Sequence, residues 1–567
     1  MERHTTSTSH LIQTVRNGLS EMTWTTFFAV LVFSCIATRV ISGLQSRQRE
    51  YDPKEPRTSR LAPYWFPWIG HGFQIVWNHL GLFESLRESM DEPVFGIYLR
   101  GETYDTVVSP LMMNTVMSSN ASNAPVLDQA LQNVFGDRSL TRSVQLNRNE
   151  EISDNVAELI SKDSFATEVS ALITKFLQNN VSNLVTFSRS PVDMPPWERD
   201  SDVTMSEEDN SVCEVKLFEL MRNFMGHNLS TLLMGEAFLE NFPMSLADLW
   251  TLDRNYVPLF VGARRWIPSP GVSSGFAARD RLIHVMSVFY RAFSAFDDGI
   301  DPGIELRDLD DVSELVKQRM RTFRKLDLSP GASAAANLSL YWDIVEHTTK
   351  ITFWSIIHIF ADGALLKEIR TEIASCVNAT RPTREETGFP FDEPPKLNLD
   401  LEKLLVSCPL FKACYYETLR LHSAGISFRK LESNLTVTES KEDATEPRTY
   451  KLSKGKKVVM PHGVYHNDPH RFSNPDQYDP LRFIVTDATT GAKQARADPI
   501  APFADGLYGS KNNNFTERAI LGFTASIVSM WDIQSASEKE LAVPPHRTTW
   551  GAFHPAKDVK VKLKPMV

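Results

Sequence analysis

The sequence predicts a mainly α-helical protein with small β-sheets, which follows one apolar helix near the N-terminus. Apolar residues recur with the 3.6-residue helical period over residues 155–180, 215–240, 278–297 and 334–376. Strand-like runs are few and late in the chain, and they are residues 450–452, 457–460 and the alternating run 559–564. With 567 residues, 42% of them hydrophobic, the chain is long enough to bury a large core.

The apolar run near the N-terminus, residues 22–41, predicts a transmembrane anchor. Residues 22–38 carry no charge, and the whole run has the length of about 20 residues that a helix needs to cross the hydrocarbon core. A secretory signal peptide is the alternative, but no basic residue immediately precedes the run and no small-residue cleavage site is evident. Basic residues follow the run closely, whereas residues 1–21 hold only Arg3 and Arg16. This bias predicts a single-pass protein of the endoplasmic reticulum membrane with its body facing the cytosol.

A segment rich in proline and aromatic residues, 42–70, follows the anchor. Such a segment forms helix poorly, so we expect a stiff hinge between the membrane and the body. Residues 71–567 are then predicted to form one domain.

Charge and cysteine content exclude several classes of function. A net charge of −10 without a basic cluster argues against a nucleic-acid partner. Five scattered cysteines without a C-x-x-C pair suggest neither a disulfide framework nor a zinc site. The last cysteine in the sequence is Cys414.

Two segments in the last third of the chain carry the most specific signal. Glu417 and Arg420 are three residues apart in a helical run, so the two side chains share one face and can pair. Downstream come His-Asn-Asp-Pro-His-Arg-Phe-Ser-Asn-Pro, residues 466–475, and Tyr-Asp-Pro-Leu-Arg-Phe, residues 478–483. Together these segments resemble the cytochrome P450 family.

This resemblance implies the cytochrome P450 fold behind the anchor and a buried structural triad of Glu417, Arg420 and Arg482. The middle helix resembles the branch that contains sterol 7-alpha-hydroxylase and prostacyclin synthase, by Trp342 and by Phe353–Trp354. Filamentous fungi have many relatives of this branch in secondary metabolism.

One residue of the same helix matches the family pattern, and two depart from it. Thr348 falls where many members place the threonine that manages oxygen protonation. Asp343 and Glu346 fall where the family prefers small residues over the haem.

The haem-ligand position is the largest departure. The family places a cysteine seven residues after a phenylalanine, and counting from Phe503 puts Ser510 at that position. Thiolate donation to iron favours O–O cleavage, and a neutral serine hydroxyl is a far poorer donor. Normal monooxygenation is therefore disfavoured, and we expect no cofactor. Haem is expected only under the alternative that another group ligates iron.

Other haem contacts of the family are missing as well. Tyr508 replaces the arginine before the ligand position, and residues 125–150 lack the Trp-x-x-x-Arg propionate clamp. Arg429 is the one predicted propionate contact that survives. Tyr508 as a phenolate ligand is an alternative, although it lies two residues from the expected position.

A metal site is the other interpretation of a histidine series in this part of the chain. His462, His466 and His470 are spaced four apart, which on a helix could bind a metal ion. Pro469 and the family resemblance argue against it, so no metal site is predicted.

Ionisable residues in the middle helix suggest the remaining chemistry. Asp343, Glu346, His347 and Lys350 follow the i, i+3, i+4, i+7 spacing of one helix stripe, which is usually a solvated face. The resemblance instead places Asp343 and Glu346 toward the central cavity, where buried carboxylates beside an imidazole can act as general acid or base. Asp343, Glu346, His347 and Thr348 are therefore the predicted catalytic residues.

Three functions remain open from the sequence. The first is a haem-free enzyme of secondary-metabolite biosynthesis that cyclises, isomerises or dehydrates a lipophilic terpenoid or polyketide. The second is an atypical haem-dependent monooxygenase, and the third is an inactive partner or carrier protein. The expected partners are a lipophilic small molecule, the membrane and cytochrome P450 reductase or other pathway enzymes.

Overall fold

The computed structural model describes residues 24–47, 55–138, 162–207, 209–266, 271–388, 394–440, 446–497, 513–537, 539–547 and 549–567. Helices dominate and the strands are short, so the predicted mainly α fold class is confirmed. Two compact units make up the chain, one of residues 1–121 with 430–459 and one of residues 122–429 with 460–567. Tyr508 and Ser510 lie outside the described residues.

The helices have the following bounds: α1 Trp24–Gln45, α2 Gly72–Met90, α3 Pro110–Met117, α4 Ala124–Asn133, α5 Asp163–Asn180, α6 Pro196–Arg199, α7 Leu217–Met234, α8 Glu236–Asn241, α9 Ser245–Arg254, α10 Tyr256–Phe260, α11 Val272–Asp297, α12 Glu314–Lys325, α13 Pro330–Ala361, α14 Gly363–Ile373, α15 Arg384–Thr387, α16 Leu401–Ser407, α17 Pro409–His422, α18 His462–His466 and α19 Asn513–Met530. Short 3-10 turns are Val181–Asn183, Ile304–Leu306 and Pro480–Phe483.

The strands have the following bounds: β1 Arg60–Leu61, β2 Val94–Leu99, β3 Glu102–Val107, β4 Ala121–Ser122, β5 Thr204–Met205, β6 Cys213–Lys216, β7 Val377–Thr380, β8 Lys396–Leu399, β9 Ser423–Ala424, β10 Ile426–Leu431, β11 Leu435–Thr438, β12 Thr449–Leu452, β13 Lys457–Pro461, β14 Ile484–Thr486, β15 Lys493–Ala495, β16 Trp531–Ser535, β17 His546–Arg547, β18 Gly551–Ala552, β19 His554–Pro555 and β20 Lys560–Pro565. The three strands predicted late in the chain are β12, β13 and β20.

The unit that includes the N-terminus is built on α1 and a small sheet. The described residues contain one helix, Thr26–Gln45, that is long enough and apolar enough to cross a membrane. It extends four residues beyond the predicted run of 22–41. Strands β2 and β3 form an antiparallel hairpin, with β1 parallel to β2 and β13 parallel to β3.

The second unit is organised around α13. Ser329 caps the helix by accepting a hydrogen bond from the Ala332 backbone N–H at 3.3 Å, and Pro330 occupies the first turn, where its missing N–H costs nothing. Helices α7, α11, α17 and α19 pack around α13. The helix ends at Ala361 because the Asp362 side chain caps the next helix, α14.

Small sheets of the second unit connect distant parts of the chain. One sheet has the order β16-β20-β6-β5, with Trp531 opposite Pro565 and Val561 opposite Val215. A two-residue pair joins β18 to β9, which places Gly551 opposite Ala424. This pairing brings the C-terminal segment close to the middle of α13.

Candidate active site

Two residues interrupt the burial of α13. From Ala332 to Ile357 every residue of the helix is buried except Asp343 and His347, whose side chains keep 14% and 13% of their surface exposed. Because these residues are four apart, they lie on one face of the helix. The middle of a buried helix therefore presents one accessible polar face.

Asp343 and His347 form a carboxylate–imidazole dyad. The Nδ1 of His347 lies 2.9 Å from the Asp343 carbonyl oxygen and 3.4 Å from the Asp343 carboxylate Oδ1. A carbonyl oxygen can only accept, so we assign the ring proton to Nδ1 and the lone pair to Nε2. The Nε2 atom faces Gly551, where an added β-carbon would lie 2.2 Å from it. Glycine at residue 551 therefore leaves the space that this imidazole occupies.

Aromatic rings border the dyad. The Trp342 ring meets the His347 ring edge to face at 5.6 Å, and Tyr256 stacks on Trp342 at 4.5 Å. Trp550 lies 5.8 Å from Tyr256 and stacks on Phe428 at 5.8 Å. The groups around the accessible face are therefore suited to a lipophilic ligand rather than a charged one.

Glu346 and Lys350 lie in a different environment from the dyad. The Lys350 ammonium Nζ is 3.0 Å from Glu346 Oε2 and 2.6 Å from Oδ2 of Asp253 in α9. Oδ1 of Asp253 accepts a hydrogen bond from Trp342 Nε1 at 3.1 Å. All three ionisable side chains are buried. The structure thus divides the predicted stripe into an accessible dyad and a buried charge cluster.

The pKa values in this cluster follow from burial and from the pairing. Burial raises the pKa of Glu346 to about 7, reinforced by the nearby Asp253 and only partly offset by Lys350. Burial acts against the charge of Asp253, but Lys350 outweighs it and lowers the pKa of this carboxyl group. Burial likewise acts to lower the pKa of Lys350, and Asp253 and Glu346 reverse this effect. Asp253 and Lys350 are therefore the charged pair, and Glu346 is the group that can exchange a proton near neutral pH.

The sequence did not point to Asp253. The residue lies almost a hundred positions before Lys350, and no motif marks it. The available signal was Lys350 itself, because a lysine on a helix that is otherwise buried requires a facing carboxylate.

The positions of Thr348 and Arg429 do not test the roles predicted for these residues. Thr348 is buried, and its Oγ1 has no hydrogen-bond partner among the described residues. Arg429 is half-buried in β10 and donates from Nη1 to the Phe428 carbonyl oxygen at 2.9 Å. Their predicted roles in oxygen protonation and propionate binding stay predictions.

The three residues of the predicted triad are brought together. Two nitrogens of Arg420 donate to the two carboxylate oxygens of Glu417 at 2.7 and 2.8 Å. Nε of Arg482 lies 3.4 Å from Glu417 Oε1. Arg420 also donates to the backbone carbonyls of His466 and Pro475, so the cluster joins α17 to the end of α18 and to the segment that follows it.

A pair of histidines, one half-buried and one buried, was not predicted. The Nε2 atoms of His358 and His422 are 2.7 Å apart, so one imidazole donates a hydrogen bond to the other. Trp354 stacks on His422 at 3.8 Å, and Tyr478 stacks on His358 at 4.0 Å. This pair joins α13 to α17.

The residues of the chain do not fit a haem held by a cysteine thiolate. All five cysteines lie among the described residues, and none follows Cys414. Burial raises the pKa of the Cys213, Cys408 and Cys414 thiols, so each stays protonated, and Cys376 lies with its sulfur 3.8 Å from that of Cys408. Cys35 belongs to α1.

Histidines of α18 are engaged within the protein. Nε2 of His462 lies 3.0 Å from the Ser427 hydroxyl, and Nδ1 of His466 lies 3.4 Å from the Ser423 carbonyl oxygen. Within the described part of the chain, no group of three or more histidine, cysteine or acidic residues is arranged to hold a metal ion.

Comparison with known proteins shows which family and which relatives this chain is similar to. Residues 307–507 match the family described as Cytochrome P450. The cytochrome P450 monooxygenase poxD of Penicillium oxalicum is 23% identical over 53% of this chain and 54% of its own length. Lanosterol 14-alpha demethylase of Mycosarcoma maydis is 26% identical over 49% of this chain and 48% of its own length. The 25-hydroxycholesterol 7-alpha-hydroxylase of Rattus norvegicus is 23% identical over 44% of this chain and 59% of its own length.

The chain spans about half the length of these curated relatives. Members of the cytochrome P450 family normally bind haem and act on small molecules, often with a reductase. The matched segment contains all of α13, the Glu417–Arg420 pair and Arg482. Residues 307–507 are therefore similar to the cytochrome P450 family over about a third of this chain.

Proposed function

We propose that this protein is a membrane-anchored, P450-like enzyme that uses the Asp343–His347 dyad for non-oxidative chemistry on a lipophilic terpenoid or polyketide intermediate. One observation carries the proposal: Asp343 and His347 are the two accessible residues on an otherwise buried stretch of α13. An acid–base pair that is accessible in the middle of a domain, with aromatic rings around it, is suited to a small apolar substrate.

The dyad can move a proton without an oxidant. His347 Nε2 takes a proton from a C–H or O–H bond of the substrate, and the Asp343 carboxylate stabilises the resulting imidazolium. The proton then returns to another atom of the substrate, which gives isomerisation or cyclisation. When the proton returns to a hydroxyl group of the substrate, that group leaves as water, and the reaction is a dehydration. Each of these reactions leaves the dyad as it began.

The proposed location is supported by α1. The helix Thr26–Gln45 has the length and composition of a single span, and the basic residues that follow it favour a cytosolic body. The name of lanosterol 14-alpha demethylase, one of the relatives, supports a lipophilic substrate. The resemblance of α13 to a branch with fungal relatives in secondary metabolism favours a pathway of that kind. We infer anchoring in the endoplasmic reticulum membrane.

Gene replacement in a strain that carries the gene tests this function. The gene is deleted, the metabolites that change are recorded by mass spectrometry, and the deletion is complemented with Asp343→Asn or His347→Gln. Asp362→Asn is the matched control, because the same chemical change at the end of α13 leaves an asparagine that can still cap α14. Protein amount is measured by immunoblot.

We expect the intermediate to accumulate in the deletion, Asp343→Asn and His347→Gln strains, and to be converted in the Asp362→Asn strain. Full conversion by both dyad variants would favour a partner or carrier role and remove the catalytic proposal. A product that gains an oxygen atom from O2 would favour the atypical monooxygenase.

A further inference from the structure

Two cysteines that are distant in the sequence meet in the second unit. Cys376 lies between α14 and β7, and Cys408 lies between α16 and α17. Both are free thiols, and their Sγ atoms are 3.8 Å apart. A disulfide bond needs a sulfur–sulfur distance of about 2 Å, so a modest rotation of the two side chains brings the sulfur atoms into bonding range.

The backbone around both cysteines is held by hydrogen bonds. Cys376 N–H donates to the Ile373 carbonyl oxygen at 2.8 Å, and the Cys376 carbonyl oxygen accepts from Asp400 N–H at 2.8 Å. The Cys408 carbonyl oxygen accepts from Lys412 N–H at 3.0 Å. The fold therefore keeps the two thiols as neighbours.

A carboxylate connects the helices on either side of the cysteine pair. The two carboxylate oxygens of Glu372, in α14, accept hydrogen bonds from Leu410 N–H at 3.0 Å and from Phe411 N–H at 2.8 Å. A carboxylate stabilises a helix at this end, and here it lies at the start of α17. The Cys408 thiol also donates to the Glu372 carbonyl oxygen at 3.6 Å. The end of α14 is thus fixed to the start of α17, and a disulfide bond here requires no movement of either helix.

The two thiols lie one residue below the surface. Cys376 and Cys408 are only 4% and 1% exposed, but each directly follows an exposed serine, Ser375 or Ser407. Local openings of a few residues occur in folded proteins at low energetic cost near the surface. Such an opening admits an oxidant as small as hydrogen peroxide.

The surroundings of the two sulfur atoms favour a start at Cys376. Burial, with the nearby Cys376 thiol, raises the pKa of Cys408 to about 12, so its thiolate is scarce at neutral pH. Peroxide oxidises thiolates. The Cys376 sulfur is flanked by the hydroxyls of Ser375 at 3.5 Å and of Ser407 at 3.4 Å, which can hydrogen-bond a sulfenic acid formed there.

We propose that Cys376 and Cys408 form a redox modification site, which hydrogen peroxide converts from a dithiol into a disulfide bond. Peroxide first transfers one oxygen atom to the Cys376 sulfur, which gives a sulfenic acid and one water molecule. The Cys408 sulfur then attacks this sulfur, the S–S bond forms, and the S–OH bond breaks. The hydroxyl group leaves with the Cys408 proton as a second water molecule. The two thiols lose two electrons, and the peroxide gains them.

The disulfide bond would close the base of segment 377–407. The described part of this segment holds the antiparallel pair of β7 and β8, together with α15 and α16. A cross-link between residues 32 apart restricts the unfolded chain and so stabilises the folded chain. Because α17 begins directly after Cys408, the bond also fastens the helix that carries Glu417 and Arg420.

Peroxide treatment of the full, detergent-solubilised chain tests the site. The protein is reduced with dithiothreitol, freed of it, and incubated with hydrogen peroxide, with and without dimedone, which labels sulfenic acids. The remaining thiols are alkylated in urea and the peptides are mapped by mass spectrometry. Cys408→Ser removes one partner. Cys414→Ser is the matched control, because Cys414 is a thiol of α17 that is 1% exposed, like Cys408.

We expect oxidised wild type and Cys414→Ser to lose two thiols, to yield a peptide that links residues 376 and 408, and to regain both thiols in dithiothreitol. Both should melt several degrees higher when oxidised. Cys408→Ser should show neither the linked peptide nor the shift, and should carry dimedone at residue 376.

The peptide map of the wild type decides the question even if Cys408→Ser folds poorly. Retention of all five thiols by the folded wild type, under conditions that oxidise them in urea, overturns the proposal. A bond to another cysteine or to a second chain, in place of the link between residues 376 and 408, overturns it as well.

Discussion

The ammonium of Lys350 lies 2.6 Å from the carboxylate of Asp253, and both side chains are buried. Asp253 also holds the Trp342 indole, whose ring contacts the imidazole of His347. The buried charge cluster is thus connected to the accessible dyad through one aromatic side chain.

Asp253→Asn is expected to destabilise the protein strongly. The substitution leaves Lys350 buried with Glu346 as its one carboxylate partner among the described residues, and breaking a buried ion pair typically costs about 3–5 kcal/mol. Urea unfolding of the detergent-solubilised chain measures the loss. The double variant Asp253→Leu, Lys350→Met, which removes both charges, should recover part of it. Equal stability of Asp253→Asn and wild type would show that the pair contributes nothing.

Glu346→Gln is expected to change how stability depends on pH. The pKa of Glu346 is raised from 4.5 to about 7 by burial. Between these values the unfolded chain loses the proton while the folded chain retains it, so the wild-type free energy of unfolding falls as pH rises. Glutamine does not titrate, and the variant should lack this component of the slope. Identical slopes from pH 5 to pH 7 for variant and wild type would contradict the assignment.

The His358–His422 pair predicts the opposite slope. Burial lowers the pKa of His358 to about 3, and burial, with the nearby His358, His546 and Arg420, lowers that of His422 well below 6.5. Below pH 6.5 the two histidines therefore bind protons in the unfolded chain but not in the folded chain. The free energy of unfolding falls as pH decreases toward 3.

Replacing both imidazoles by phenyl rings tests this slope. His358→Phe with His422→Phe keeps rings to stack on Tyr478 and Trp354 but removes the titration, so acid unfolding should become less steep. His284→Phe, at an exposed position, is the control and should leave the profile unchanged. An unchanged slope in the double variant would contradict the burial of neutral imidazoles.

Gly551→Ala is expected to disable the dyad without removing it. The new β-carbon would lie 2.2 Å from His347 Nε2, and Gly551 has φ +76°, which alanine rarely adopts. The imidazole must therefore move away from its position beside Asp343. We expect the complementation assay to show accumulation of the intermediate, as with His347→Gln, while immunoblots show the protein. Gly331→Ala, with open space around it, is the control and should convert normally.

Local spacing explains what the sequence could predict of the site. Residues four apart on a helix become neighbours, so the pattern anticipates both the Asp343–His347 and the Glu346–Lys350 contacts. The corresponding contact of residues three apart places Glu417 beside Arg420. Helical periodicity likewise predicts α13, and alternation predicts β20.

Packing between distant segments explains what the sequence left open. Whether a charged face meets water or protein depends on the neighbouring helix, and Asp253 comes from α9, far upstream of α13. The same limit applies to the His358–His422 pair and to Gly551, which reaches His347 through the pairing of β18 with β9. The one predicted stripe of ionisable residues on α13 therefore forms two separate groups in the structure, the accessible dyad and the buried charge cluster.

Haem binding tests the central claim most directly. The full chain is expressed with a haem precursor, purified in detergent and examined by absorbance, before and after reduction under carbon monoxide. Because Ser510 and the buried cysteines provide no thiolate, we predict the absence of the ferrous–CO absorption band typical of thiolate ligation, together with haem far below one equivalent. A full equivalent of haem with that band would contradict the account.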